Sequence, residues 1–124
     1  MIAKILDGRA TAKEIRDEVA RGVQDIQVDV GVTPGLAAIL TGNNPASAIY
    51  VRNKEYACRE VGIYSDAFHL DQDASQDELH QLISSLNKDD RFHGVLLQLP
   101  LPDHLNESAA ISAILPEKDI DGIH

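Results

Sequence analysis

The chain has 124 residues, one cysteine, no tryptophan and a formal net charge of −9. That length suits one domain, burying about two-thirds of its unfolded surface without disulfides or metals. The acidic balance and scattered lysines and arginines exclude a nucleic-acid partner.

No apolar run reaches the roughly 20 residues of a membrane span. The opening MIAKILDGRA also lacks the apolar core and cleavage site of a secretory signal. The expectation is a cytoplasmic protein with no membrane partner, in which Cys58 is a small packing residue in a reducing compartment.

In chain order, apolar residues recur at Ala12, Ile15, Val19, Val23 and Ile26, a spacing that predicts a helix over 10–26 lying on a sheet. The continuous apolar run at 36–40, stopped by Thr41 and Gly42, reads as a strand buried on both faces and therefore parallel to its neighbours. Asn44 as cap, with Pro45 at the first helical position, opens a central helix that ends near Gly62. A mixed run at 63–70 predicts a second strand. Ser75 and Glu78 have the spacing of a capping box, and Leu79, Leu82, Ile83 and Leu86 mark one helical face after it. GVLLQL at 94–99 predicts a third strand, terminated by Pro100 and Pro102. Asn106 then caps a short helix that Pro116 stops. Strands alternating with helices predict a three-layer α/β fold, an open and mostly parallel sheet with helices on both faces. Ligands of such sheets gather beyond the carboxyl ends of the strands.

Tyr50 and Lys54, four residues apart on the central helix, share one face. Ile49, Ala57, Cys58 and Val61 build an apolar side next to them. Two readings of Lys54 follow. Its methylenes can run along apolar surface with the ammonium in water, or the amine can be partly desolvated, which lowers its proton affinity and suits acid–base work. Gln98 interrupts an apolar strand at its carboxyl end, where an unpartnered amide costs on the order of 1–3 kcal/mol. It either bonds a neighbouring backbone group or accepts from the Lys54 ammonium. Asp119 and Asp121 flank Ile120 in a turn, where solvation or local turn bonding is the ordinary outcome. A carboxylate there can alternatively accept two parallel N–H bonds from a planar guanidine-like edge such as that of a reduced pterin. His69, His80, His93, His104 and His124 show no metal-ligand spacing and read as surface or loop residues. No G-x-S-x-G or G-x-G-x-x-G occurs, so this chain alone is not expected to hold a dinucleotide.

Three segments in order, GNNPAS at 42–47 running into YVRNK at 50–54, GVLLQLPLP at 94–102, and PEKDIDG at 116–122, closely resemble the amino-terminal catalytic domain of the bifunctional methylenetetrahydrofolate dehydrogenase/methenyltetrahydrofolate cyclohydrolase family. The likeness covers essentially the whole chain, including the Asp7-Gly8 opening. The resemblance implies the amino-terminal fold shared with amino-acid dehydrogenases and a folate-binding catalytic domain over 1–124. It implies Lys54 as the acid–base residue of the cyclohydrolase step, Tyr50 stacking near the folate, Gln98 supporting the lysine and Asp121 binding the pterin. Ser47, Leu97 and Leu99 are then expected to line the same cleft. It also implies a tetrahydrofolate substrate, NADP bound by a carboxy-terminal domain that this chain lacks, and a homodimer as the full-length protein. On this reading the chain is a domain separated from its nucleotide-binding half, and hydride transfer belongs to the parent protein. The rival readings are a folate-binding module without turnover and the substrate domain of another two-domain dehydrogenase, since fold alone does not fix function.

Overall fold

The computed structural model describes residues 2–121, with side chains from residue 10 onward. Gly122 and His124 of the expected carboxy-terminal turn, and the Asp7 side chain, lie outside the described residues. The run at 36–40 forms β1 (Gly35–Thr41). It is the middle strand of a three-stranded sheet, flanked by β2 (Tyr64–Leu70) and β3 (Gly94–Leu97) in the order β2-β1-β3. Both pairings are parallel, as the buried run predicts.

Strand alternation divides the core into two clusters. Ala37 and Ile39 of β1, with Val95 and Leu97 of β3, meet Leu79, Ile83 and Leu86 of α3 (Gln76–Asn87) and Ala110 of α4 (Glu107–Ala113). Ala38 and Leu96 point the other way, onto Val51 of α2 (Pro45–Val61), with Leu36 and Leu40 packed beside them. Helices thus cover both faces of a parallel sheet, the three-layer arrangement expected. Ile39, Leu79 and Ile83 have no exposed surface, and burying each contributes about 1.5–3 kcal/mol.

Two sequence expectations are corrected. The first helix, α1 (Ile2–Val30), runs past 10–26 at both ends and packs chiefly on α2 rather than on the sheet. That face of the sheet is already covered by α2, so α1 lies outside it and buries little. Val23 is enclosed, but Ile15, Val19 and Ile26 stay exposed. The third strand stops at Leu97 instead of Leu99. Gln98 N–H still donates to Ile39 O at 2.9 Å, but Pro100 and Pro102 supply no further N–H to continue a ladder.

Past α4, the 3-10 turn Pro116–Lys118 places Lys118 Nζ where it donates to Leu86 O (3.0 Å) and Asp89 O (3.1 Å), carbonyls at and just past the end of α3. A parallel bridge between Val95 and Asp119 then sets the tail alongside β3. Among the described residues no helix is long and apolar enough to cross a membrane.

Candidate functional site

The site is built at the carboxyl ends of the strands, beginning with the corner between β1 and α2. Gly42 turns the chain at φ +92°, which is what calls for glycine there, and the space a Cβ would take is filled by the end of the Gln72 side chain. Gly42 N donates to Leu70 O at 3.0 Å, His69 Nε2 donates to Gly42 O at 2.8 Å, and Asn43 N donates to Gln72 Oε1 at 3.3 Å. Asn44 then caps α2 as the sequence predicts, its Oδ1 accepting from Ala46 N (2.9 Å) and Ser47 N (3.2 Å). The helix closes at Gly62, which has the left-handed conformation of a C-cap (φ +86°).

Ser47, Val51, Lys54 and Cys58 fall on one line along α2, and Ser47, Val51 and Cys58 are its buried residues. Lys54 therefore springs from the sheet-facing side. Its side chain is nonetheless exposed, as are Tyr50 and Ile49. The expected apolar stripe through Ile49 is corrected to this line, which tracks the sheet beneath. Lys54 is exposed as a whole residue, while the bond its ammonium makes to Gln98 is part-buried.

Gln98 is buried at 9 % exposure. It follows Leu97 on β3, and alternation sends it to the α2 side with Leu96. Lys54 Nζ donates to Gln98 Oε1 at 3.1 Å, while Gln98 Nε2 donates to Leu99 O at 3.1 Å. The two bonds left open as alternatives by the sequence are made together. Since an ammonium only donates, the amide oxygen must face the lysine and the amide nitrogen must face the backbone.

The remaining residues are placed differently. Ser47 is buried in the first turn of α2. Leu97 is buried on the α3 side of the sheet, and Leu99 packs partly buried against the same cluster. Asp121 is exposed, and the parallel bridge at Asp119 directs its segment along β3 toward the strand's carboxyl end. Asp121 makes no hydrogen bond to Lys54 or Gln98 among the described residues. His80 accepts from Gln76 Nε2 (2.8 Å), His93 Nδ1 accepts from Gly35 N (3.0 Å), and His104 Nε2 donates to Ala74 O (2.7 Å). Among the described residues no three His, Cys, Asp or Glu side chains could hold a metal ion. The Cys58 thiol is pushed up by burial and then by the charge of Glu55, as befits a packing residue.

A dinucleotide does not fit the residues present. Its phosphates need open N–H groups at a helix start and a glycine-rich turn, whereas Asn44 already occupies the Ala46 and Ser47 N–H groups. Sequence reasoning missed two residues that shape this end of the sheet. Gln72 seats the β1–α2 corner, and Glu107 Oε2 accepts from Leu101 N at 2.9 Å. The detectable signal for Glu107 was a single N–H between two prolines, with an acid six residues later.

A parallel sheet with helices on both faces places this chain in the class of open three-layer α/β domains, whose ligands gather beyond the carboxyl ends of the strands. Within that class, the chain belongs to the family described as tetrahydrofolate dehydrogenase/cyclohydrolase, catalytic domain, whose model matches residues 6–121. It is 53% identical over 122 residues to the Bifunctional protein FolD of Moorella thermoacetica, covering 98% of this chain and 43% of that protein. Its fold matches the crystal structure of the bifunctional enzyme FolD from Campylobacter jejuni with TM-score 0.92 and 44% identity, covering 96% of this chain and 42% of that one. The Trypanosoma brucei dehydrogenase-cyclohydrolase, solved with NADP cofactor and inhibitor, matches with TM-score 0.86 and 36% identity, over 90% of this chain and 38% of that one. The chain spans less than half the length of these relatives.

Proposed function

We propose that this chain is the folate-binding catalytic domain of an enzyme that oxidises 5,10-methylenetetrahydrofolate to 5,10-methenyltetrahydrofolate with NADP and hydrolyses the product to 10-formyltetrahydrofolate. The observation that carries this reading is the Lys54–Gln98 hydrogen bond at the carboxyl end of the sheet, in a chain of this family. NADP would supply the hydride acceptor from a separate nucleotide-binding domain, and no residue of this chain is given a part in holding it. The intact enzyme is assigned, on the family resemblance, to the cytoplasm as a homodimer.

The chain's own residues serve the water step. Water adds to the cationic methenyl carbon, a proton leaves the new hydroxyl, and the bond from that carbon to the ring nitrogen N5 breaks as N5 takes a proton, with one proton released overall. Lys54 carries those protons. Gln98 Oε1 engages one of the three ammonium donors and fixes the amine's position, leaving the others for the reacting atoms. Tyr50, exposed one turn earlier, offers a ring face to the folate, and Asp121 accepts from the paired N–H groups of the pterin. Ser47 is assigned to the border of this cleft, and Leu97 and Leu99, whose side chains pack on the α3 side, are assigned to it through their backbone.

The test is hydrolysis of 5,10-methenyltetrahydrofolate by the intact enzyme carrying this domain, compared with Lys54→Met. Turnover by the wild type and its loss in the variant support the reading. Folate binding without turnover in the wild type would identify a non-catalytic module instead.

A further inference from the structure

Between Leu99 and Asp103 the backbone offers one N–H, because Pro100 and Pro102 have none. That donor, on the buried Leu101 (6 % exposed), is taken by Glu107 Oε2 at 2.9 Å. A charge-assisted bond of this kind is roughly twice as strong as a neutral one. Glu107 is itself held on a fixed base. It is the first residue of α4, whose cap Asn106 accepts from Ala109 N at 3.0 Å through Oδ1. Both backbone groups of Asn106 are clamped by the Gln76 side chain of α3, with Asn106 N to Gln76 Oε1 at 2.8 Å and Gln76 Nε2 to Asn106 O at 3.2 Å.

The bonds form a continuous series. Glu107 fixes the Leu101 segment, and that segment fixes the direction of the Leu99 carbonyl. The Leu99 carbonyl orients the Gln98 amide at 3.1 Å, and the Gln98 oxygen takes Lys54 Nζ at 3.1 Å. Were the Leu99 carbonyl to turn away, the Gln98 amide nitrogen would lose the acceptor that anchors it, and the amide would be held in place by the lysine alone. We propose that Glu107 is a positioning residue for the Lys54–Gln98 pair, acting through the proline-flanked 99–102 segment. The proposal rests on the function proposed above for that pair.

The experiment compares wild type, Glu107→Ala and Glu107→Gln, with Glu78→Ala as an exposed control on α3. One arm reads the Gln98 side-chain amide resonances by NMR, which needs no assumption about activity. The other reads kcat and KM for methenyltetrahydrofolate hydrolysis in the intact enzyme. Expected for Glu107→Ala are displaced or broadened Gln98 amide signals and a kcat lowered about tenfold, the scale of a small misplacement of a reacting group, with KM changed much less. Glu107→Gln keeps an acceptor oxygen and should recover most of kcat. Unmoved Gln98 signals in Glu107→Ala, or Glu107→Gln as impaired as Glu107→Ala, overturn the proposal. If Glu107→Ala does not fold, Glu107→Asp, shorter by one methylene, is read by the same criteria. A wild type without hydrolysis would sink the proposed function alone, and the NMR arm would still decide the role of Glu107.

Discussion

Lys54 Nζ and Gln98 Oε1 meet at 3.1 Å although 44 residues separate them in the chain. The meeting follows from two periods, the 3.6-residue helix repeat that puts Lys54 in line with Val51 and Cys58, and the two-residue strand repeat that turns Gln98 to the same side as Leu96. Lys54→Met keeps the length of the side chain and removes its protons. In the intact enzyme it should abolish methenyltetrahydrofolate hydrolysis while folate binding stays measurable by calorimetry. Near wild-type hydrolysis would show that the lysine is structural.

Asp121→Ala tests the other end of the proposed cleft. A charge-assisted pair of hydrogen bonds to the pterin is worth about 1.5–3 kcal/mol, so folate affinity should fall about tenfold or more. Asp121 is exposed, so the melting temperature should stay near that of the wild type. Unchanged affinity in a titration would return this carboxylate to a solvated turn.

How much of this was legible in the residues varies by feature. The buried strand at 36–40, the Asn44 and Ser75 caps and the Gly62 stop are local signals, and each appears where the sequence puts it. What α1 packs against is not local. Its apolar spacing announces a helix, but whether sheet or helix lies beneath depends on α2 having already covered that face. Gln98 stood out because an amide interrupts an apolar run, and its partner could be named only as one of two. Here both partners are used. Asp121 resisted reading because a turn carboxylate with solvent around it looks the same with or without a ligand role.

Arg91 holds the Asp89 carboxyl at about 2, below its ordinary 3.8, first through side-chain hydrogen bonds and then through the Arg91 backbone N–H. The bonds include Nη2 to Oδ2 at 2.6 Å and Nε to Oδ1 at 3.0 Å. A depressed carboxylate contributes stability that is fully present above its unfolded value and is lost as pH falls through its folded value. The contribution should therefore fade between about pH 4 and pH 2. In Arg91→Ala the Asp89 carboxyl should titrate higher by NMR, part of the way back to its ordinary value because the residue-91 backbone N–H still donates to Oδ1, and this part of the acid dependence should shrink. An unshifted titration in the variant would show that Arg91 is not the cause.

Leu79 and Ile83 project from α3 into the cluster around Ile39 and Val95, with no exposed surface. Leu79→Ala should lower unfolding free energy by about 2–5 kcal/mol, combining the lost transfer term with the cavity left behind. Ile15→Ala on α1, where the side chain is 54% exposed, should cost far less. Urea unfolding of both variants checks the contrast, and equal losses would mean that the exposed stripe of α1 is covered in solution.

The last prediction concerns NADP and rests on the turn where a dinucleotide would have to sit. At the carboxyl end of β1 the chain offers one glycine, and Gln72 packs where a Cβ on Gly42 would stand. The first N–H groups of α2 point at Asn44 Oδ1, so a pyrophosphate would have to displace the cap, at a cost typically near 1 kcal/mol, before gaining any contact. The exposed Lys54 is a single cation bonded to Gln98. NADP added to this chain should leave its melting temperature unchanged and show no saturable binding in equilibrium dialysis, whereas 5,10-methenyltetrahydrofolate should raise the melting temperature by mass action. Micromolar NADP binding by this chain alone would overturn the proposed division of roles between these folate-site residues and a separate nucleotide-binding domain.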